Sequence, residues 1–238
     1  MTEALITTRS GGILYDAEQL DDPSNALFEE HFWQSKQALE SQPGGRGGVA
    51  FLRNGERMWV LRHYRRGGLL ARLGGDRYLW LGADRTRAFR EWRLLARLAQ
   101  LQLPVPKPVA ARYSRRLLIY RADLITERLP STQPLSMLLH APTPQSLWQD
   151  IGRCIAGFHR HGVHHADLNA HNIMIDAQQR VYLLDFDRGR IRARGAWETT
   201  VLARLQRSLS KLRHIADAHY APSHWQALMQ GYSAEIEN

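Results

Sequence analysis

The sequence contains a single cysteine, Cys154, which excludes internal disulfides and any metal site built from several thiolates. Lysine is nearly as scarce, because it stands only at positions 36, 107 and 211, so arginine carries almost all of the positive charge. No apolar run approaches the roughly 18 residues of a membrane-spanning helix. The N-terminal segment also lacks the basic start and long apolar stretch of a signal peptide. These absences predict a protein that stays in the cytoplasm or docks on a membrane from that side.

The composition is that of an ordinary globular protein. The chain has 238 residues, of which 44% are apolar and 23% charged, which is enough for one large domain or two closely packed lobes. The net charge of +9, from 32 basic and 23 acidic residues, fits an anionic partner such as a nucleotide, a phosphorylated substrate, an acidic lipid surface or nucleic acid. Arginine-rich codon usage would give the same excess, so charge alone does not choose among these partners.

Two segments in the second half carry a phosphotransferase pattern. Residues 165–172, His-Ala-Asp-Leu-Asn-Ala-His-Asn, fit the catalytic loop H-x-D-L-x-x-x-N, and residues 185–187, Asp-Phe-Asp, fit D-F-G with aspartate at the glycine position. Transfer of a γ-phosphoryl group needs one carboxylate that accepts the proton of the attacking hydroxyl and oxygen ligands that hold Mg²⁺ on the phosphates of ATP. The spacing predicts Asp167 as the catalytic base and Asn172 and Asp185 as the metal ligands.

The surrounding pattern predicts how Asp185 is delivered. Residues 180–184 read as a short buried strand that ends at Asp185, and residues 172–175 read as its hairpin partner, with a turn at 176–179. A polar surface loop beside an unrelated hairpin would be the structural alternative.

The first half offers candidates for nucleotide binding. Glycines at positions 44, 45, 47 and 48 (Gly44, Gly45, Gly47 and Gly48) can bring backbone N–H groups close to phosphate oxygens, although a glycine cluster is often only a flexible turn. Arg62 ends the run at residues 59–62, Trp-Val-Leu-Arg, which matches the V-A-I-K pattern in which protein kinases carry a lysine; a surface arginine is the alternative. Glu91 on the next helix is its expected ion-pair partner. Glu127 lies in the predicted connection between the halves, where backbone groups would bind the adenine edge.

The element pattern predicts an α+β chain of two lobes. The first lobe, residues 1–130, is expected to hold a small antiparallel sheet with one main helix, and the second, residues 131–238, to be mostly helical. The predicted segments are an early strand, a helix at 26–39, strands at 58–64, 109–113 and 117–128, and helices at 86–100, 143–161, 199–219 and after Ser223.

The segment after Asp185 predicts the kind of acceptor. Only residues 186–198 separate Asp185 from the next helix and no Ala-Pro-Glu occurs there, which favours a small or lipid-linked hydroxyl over a protein substrate. Arg65 and Arg66 belong to a basic segment at 62–72 that is either a solvated turn or a site for a charged lipid headgroup. His171 and Asp187 are likewise either substrate-facing or structural.

The segments at 61–68, 103–106, 167–172 and 184–187 together resemble the 3-deoxy-D-manno-octulosonic acid (Kdo) kinases, which belong with the lipopolysaccharide core kinases of Gram-negative bacteria. The resemblance covers nearly the whole chain. It implies a single domain, residues 1–238, with the two-lobed protein-kinase-like fold. It also implies ATP as the donor and the 4-hydroxyl of Kdo on lipid A precursor as the acceptor, at the inner face of the inner membrane. It also implies that arginine is tolerated at position 62. No nucleic acid and no obligate protein partner are expected.

Three alternatives remain at this point. A lipopolysaccharide heptose kinase would share the catalytic motifs, and an aminoglycoside- or choline-type kinase would use the same three residues on a water-soluble acceptor. A non-catalytic basic module would bind nucleic acid or lipid by charge, but it would have no use for a complete set of Asp167, Asn172 and Asp185.

Overall fold

The computed structural model of the protein describes residues 1–40, 48–65, 75–215 and 218–237. An antiparallel sheet dominates the first part of the chain and helices the second, so the predicted α+β kinase-like class is confirmed. The chain divides into two compact units, one formed by Met1–Arg97 and Pro106–Arg128, the other by Leu98–Val105 and Leu129–Asn238. Among the described residues, no helix combines the length and apolar composition needed to cross a bilayer.

The first unit is built on one antiparallel sheet. Its described strands are β1 (Glu3–Thr8), β2 (Gly11–Asp16), β3 (Leu39–Glu40), β4 (Val49–Asn54), β5 (Arg57–His63), β6 (Tyr78–Leu79), β7 (Pro108–Arg116) and β8 (Ile119–Glu127). The strand order is β1-β2-β7-β8-β5-β4-β3, and β6 pairs with β8. The helices are α1 (Glu30–Ser35) and α2 (Arg87–Gln100), of which residues 98–100 are assigned to the second unit. Helix α2 has nearly the predicted bounds.

Apolar side chains fix both layers of this unit. One buried cluster joins α1 to the sheet through Trp33, Trp59, Leu61 and Ile125, each no more than 2% exposed. Helix α2 buries an apolar stripe that recurs every three or four residues, as an amphipathic helix must. The stripe consists of Phe89, Trp92, Leu95 and Leu98.

The predicted helix at residues 26–39 is wrong in extent, and the segment before it holds two strands instead of one. Residues Asn25–Phe28 form a 3₁₀ turn, Glu29 is extended, and the α-helix covers only Glu30–Ser35. The Trp33 indole N–H donates to the Leu27 carbonyl at 2.8 Å, which ties the two short elements together. Both elements bury an aromatic ring, so the apolar pattern was real but did not require one continuous helix.

The second unit is mostly helical. Its helices are α3 (Leu135–Leu138), α4 (Gln145–Arg160), α5 (Trp197–Ile215) and α6 (Pro222–Ile236), and its short strands are β9 (Gln133–Pro134), β10 (Val163–His164), β11 (Ile173–Ile175), β12 (Val181–Leu183) and β13 (Arg190–Ile191). Helix α4 stops before Gly162, whose φ of 69° lies in the left-handed region, as predicted. Helix α5 is described as far as Ile215, and residues 216–217 of its predicted extent to 219 lie outside the described residues. Helix α6 is longer than the short helix expected after Ser223.

Candidate active site

A buried imidazole connects the loop of Asp167 to the segment that carries Asp185. His165 is 3% exposed; its Nε2 lies 2.8 Å from the Leu184 carbonyl, and its Nδ1 lies 3.2 Å from the Asp167 backbone N–H. A carbonyl oxygen only accepts, so Nε2 carries the proton and Nδ1 accepts from Asp167. Burial lowers the pKa of His165, which favours this neutral form. The ring therefore ties the backbone of Asp167 to the residue that precedes Asp185.

Asn172 adds two further bonds to the same arrangement. Its side-chain N–H donates to the Asp167 carbonyl at 3.0 Å, and its own carbonyl accepts the Leu184 N–H at 2.9 Å. The Asn169 amide also donates to the Asp167 carbonyl, at 2.8 Å. The structure thus brings the loop of Asp167, Asn172 and the segment entering Asp185 together.

The β11–β12 hairpin delivers Asp185 as the sequence predicted. Ile173 pairs with Leu183 in the antiparallel register, and the chain then turns at Asp185, whose φ of 62° is left-handed. Such a backbone costs about 1–3 kcal/mol and persists where its surroundings enforce it. Here the next residue, Phe186, is buried, with its ring centroid 4.8 Å from that of His165 and 5.6 Å from that of Phe158.

The side chains fit a magnesium site. Mg²⁺ prefers oxygen ligands and is usually held by one or two protein carboxylates together with substrate phosphates and water. Because the Asn172 amide donates through nitrogen, its oxygen is left without a partner among the described residues. No cluster of three or more His, Cys, Asp or Glu side chains suited to a metal occurs in the described ranges. A magnesium site made of the Asp185 carboxylate and the Asn172 amide contains only one such side chain, so it does not count as a cluster of this kind.

Arg204 on α5 contacts the Asp167 carboxylate. Its Nε donates to Oδ1 at 2.9 Å, and its Nη2 donates to the same oxygen. Oδ2 therefore has no protein partner among the described residues and remains available to another hydroxyl. One helical turn further, the Ser208 hydroxyl accepts the Ala170 N–H at 3.3 Å. Sequence reasoning missed Arg204, and the contact joins residues 37 positions apart.

In the first unit, the structure pairs Arg62 with Glu91, the two residues expected to form an ion pair. The Arg62 guanidinium donates to the Glu91 carboxylate and, at 3.1 Å, to the Tyr64 hydroxyl, which itself donates to Glu91 at 2.5 Å. The guanidinium also lies 4.7 Å from the centre of the Tyr64 ring. Burial raises the pKa of Tyr64 well above its ordinary value, so the hydroxyl keeps the proton that it donates.

His63 faces the opposite side of β5, because successive strand residues alternate. Its Nδ1 contacts the Asp123 carboxylate, which also accepts from Arg112 at 2.7 Å. The hydrogen bond to Asp123 raises the pKa of His63. His63 therefore belongs to a network of charged side chains around Asp123 on the sheet, whereas Arg62 and Tyr64 hydrogen-bond to Glu91.

The other candidate residues are spread over both units. Gly48 has a left-handed φ of 123°, and the position that a Cβ would occupy there lies 3.5 Å from Nε of the exposed Arg65. The Glu127 N–H donates to the Lys107 carbonyl at 2.8 Å at the end of β8. His171 is exposed and Asp187 half-buried. Gly44, Gly45, Gly47 and Arg66 lie outside the described residues.

Comparison with known proteins identifies the family. The model of the lipopolysaccharide kinase (Kdo/WaaP) family matches residues 30–232. The chain therefore belongs to the lipopolysaccharide kinase (Kdo/WaaP) family, and the resemblance is confirmed. The predicted enzyme class, an ATP-dependent carbohydrate kinase, is confirmed as well.

Relatives of known name are similar over most of the chain. A protein of Xanthomonas campestris pv. campestris (strain B100) is 47% identical over 217 residues, which cover 89% of this chain and 87% of the relative. Proteins of Stenotrophomonas maltophilia (strain K279a) and Vibrio parahaemolyticus (serotype O3:K6) are 46% and 42% identical, over 89% and 84% of this chain and 86% and 84% of theirs. All three are named 3-deoxy-D-manno-octulosonic acid kinase.

Proposed function

We propose that this protein phosphorylates the 4-hydroxyl of a Kdo residue on lipid A precursor, with ATP as donor, in assembly of the lipopolysaccharide inner core. The observation that carries the proposal is the bonded group around Asp167, in which His165 and Asn172 fix the loop against the segment entering Asp185. The identity of the acceptor rests on the name shared by relatives that are 42–47% identical to this chain.

Each residue of the group has a chemical role in this proposal. Asp167 accepts the proton of the sugar hydroxyl through Oδ2 while the hydroxyl oxygen attacks the γ-phosphorus and the bond to the bridging oxygen of ADP breaks. Asn172 and Asp185 would hold Mg²⁺, which neutralises charge on the phosphates when bound. Because Asp167 is held at Oδ1 by Arg204, only its second oxygen faces a substrate.

The remaining roles are proposed from the sequence pattern. Arg62, oriented by Glu91, would contact the phosphates together with the segment that ends at Gly48. Arg65, Arg66, His171 and Asp187 would face the anionic sugar, and the backbone near Glu127 the adenine. We also propose that residues 1–130 and 131–238 are the lobes of one kinase domain, and that the enzyme works at the cytoplasmic face of the inner membrane.

Mass spectrometry of Kdo-lipid A precursor after incubation with the protein, Mg²⁺ and ATP tests the function. We expect a gain of one phosphate on Kdo, and replacement of Asp167 by alanine should lower the rate by roughly 10²- to 10⁴-fold, the scale of general-base assistance. A heptose-containing core and an aminoglycoside serve as alternative acceptors. Phosphate transfer to either of these and not to Kdo would reject the proposed acceptor, and an unimpaired Asp167→Ala variant would reject the assigned base.

A further inference from the structure

One end of the first unit's sheet carries four exposed leucines, on two segments whose backbones are joined by a hydrogen bond. Leu117 and Leu118 form the two-residue turn between β7 and β8 and are 81% and 70% exposed. Leu79 and Leu81, each 60% exposed, flank Trp80, whose N–H donates to the Leu118 carbonyl at 2.9 Å. We call these four residues the leucine tip. Single exposed leucines are ordinary on a protein surface, whereas large exposed apolar patches mark interaction sites.

The backbone conformation of the β7–β8 turn is unfavourable for leucine. Leu117 has a φ of 54°, in the left-handed region that a two-residue hairpin usually fills with glycine, asparagine or aspartate. A branched, apolar side chain is disfavoured in that conformation. The two leucines of this turn bury little apolar area within the protein and do not lower the strain of its backbone. We therefore infer that they stabilise a contact with another molecule.

Arginines surround the leucine tip. Arg77 and Arg116 are exposed, and neither pairs with an acid within the described part of the chain. The Arg115 guanidinium donates to the Leu117 carbonyl at 2.9 Å and lies 4.8 Å from the centre of the Trp80 ring. Arg77 and residues 114–121 line a cavity of about 570 Å³ at this end of the sheet.

Two further arginines belong to the same end. Arg121 pairs with Asp76 at 2.7 Å. The exposed Arg9 lies in the turn between β1 and β2, which the Arg115 N–H joins through the Ser10 carbonyl at 2.7 Å. Aliphatic side chains ringed by guanidinium groups match the boundary between the acyl chains and the anionic headgroups of a bilayer.

We propose that the leucine tip and its arginines dock on an anionic lipid bilayer. The leucines enter the headgroup–acyl boundary, and the guanidinium groups bind lipid phosphates. This inference deepens the proposed function, on which it rests for the lipid-linked acceptor, and it assigns membrane docking to defined residues of the first unit.

Replacement of Leu117 by glycine together with Leu118 by asparagine tests the apolar part. The Gly-Asn pair suits this turn, so the variant should unfold at the same or a higher temperature than the unchanged protein. Its binding to vesicles of phosphatidylglycerol and phosphatidylcholine in equal parts, measured by co-sedimentation, should fall about tenfold or more. Met137→Asn is the control, since Met137 is 59% exposed and lies in the second unit, and it should bind as the unchanged protein does.

Replacement of both Arg77 and Arg116 by glutamine tests the charged part. Each cation near an anionic surface should account for roughly a fivefold change in partition. Binding of this variant to the anionic vesicles should therefore fall and depend less on salt. Vesicles of phosphatidylcholine alone should show no difference between this variant and the unchanged protein.

Two outcomes would overturn the proposal: no binding of the unchanged protein to anionic vesicles, or full binding by the Leu117→Gly, Leu118→Asn variant, whether or not that variant loses self-association. Phosphorylation of a deacylated, water-soluble Kdo saccharide is measured in parallel, and the unchanged protein and the Leu117→Gly, Leu118→Asn variant should act on it equally. If the unchanged protein phosphorylates neither this saccharide nor Kdo-lipid A precursor, the proposed function fails while the vesicle result still decides the docking surface.

Discussion

Removal of the Arg62 guanidinium should destabilise the protein more than neutralisation of its partner. Glu91 is only 3% exposed, whereas Arg62 is 24% exposed. Taking one partner from a buried ion pair costs about 3–5 kcal/mol, because the remaining charge is left in a medium of low polarity. The Tyr64 hydroxyl would still donate to Glu91, so we expect Arg62→Ala to cost about 2–3 kcal/mol. Glu91→Gln leaves a cation that water can reach, and it should cost about 1 kcal/mol.

The double variant makes this reasoning testable. With Arg62→Ala and Glu91→Gln combined, no charge is left buried, so the loss should be smaller than that of Arg62→Ala alone. The free energy of unfolding is measured by urea titration with tryptophan fluorescence. Additive losses, or a larger loss for Glu91→Gln than for Arg62→Ala, would refute the claim that the cost of Arg62→Ala comes mainly from the buried charge of Glu91. In the same variants, a raised KM for ATP would support the phosphate-binding role of Arg62.

Two further predictions concern the second unit. Arg204→Ala should lower kcat roughly 10- to 100-fold, because the Asp167 carboxylate is no longer held in place. The KM for ATP and the thermal midpoint should not change, since a half-exposed ion pair contributes little stability. Arg207 is exposed on the same helix, and Arg207→Ala should leave kcat unchanged. Burial lowers the pKa of His159 from 6.5 to about 4, so stability should fall by roughly 3 kcal/mol as pH drops through that window. Urea titrations at several pH values should show a weaker dependence in His159→Gln, and an equal dependence would contradict this.

The loop of Asp167 and the hairpin that follows it were predictable because their geometry is local. Eight consecutive residues place His165, Asp167 and Asn172 on one loop, and the apolar alternation of two short strands fixes the register that delivers Asp185. The strand carrying Arg62 and the helix carrying Glu91 were also readable from periodicity. Tyr64 could have been added by the same logic, since it shares a strand face with Arg62.

The contact between Arg204 and Asp167 was not predictable in this way. Helix α5 carries several arginines, and periodicity separates its buried face from its exposed face without saying which exposed residue meets another segment. Only the packing of α5 against the loop selects Arg204, and the neighbouring bond from Ala170 to Ser208 shows the same dependence. The strained turn at Leu117 could not be predicted either, because a turn that contains two leucines has the composition of a strand.

Arg62 and Tyr64 contact each other as well as Glu91. A lysine ammonium in contact with a buried carboxylate is a compact charge that can lose its proton on burial, whereas a guanidinium stays charged. The planar group also donates to the Tyr64 hydroxyl and lies over its ring, which an ammonium at the end of a flexible chain would not do with the same geometry. Tyr64 in turn adds a second donor to Glu91. The departure from lysine therefore goes together with the aromatic residue two positions later, and the pair, not the arginine alone, holds the buried carboxylate.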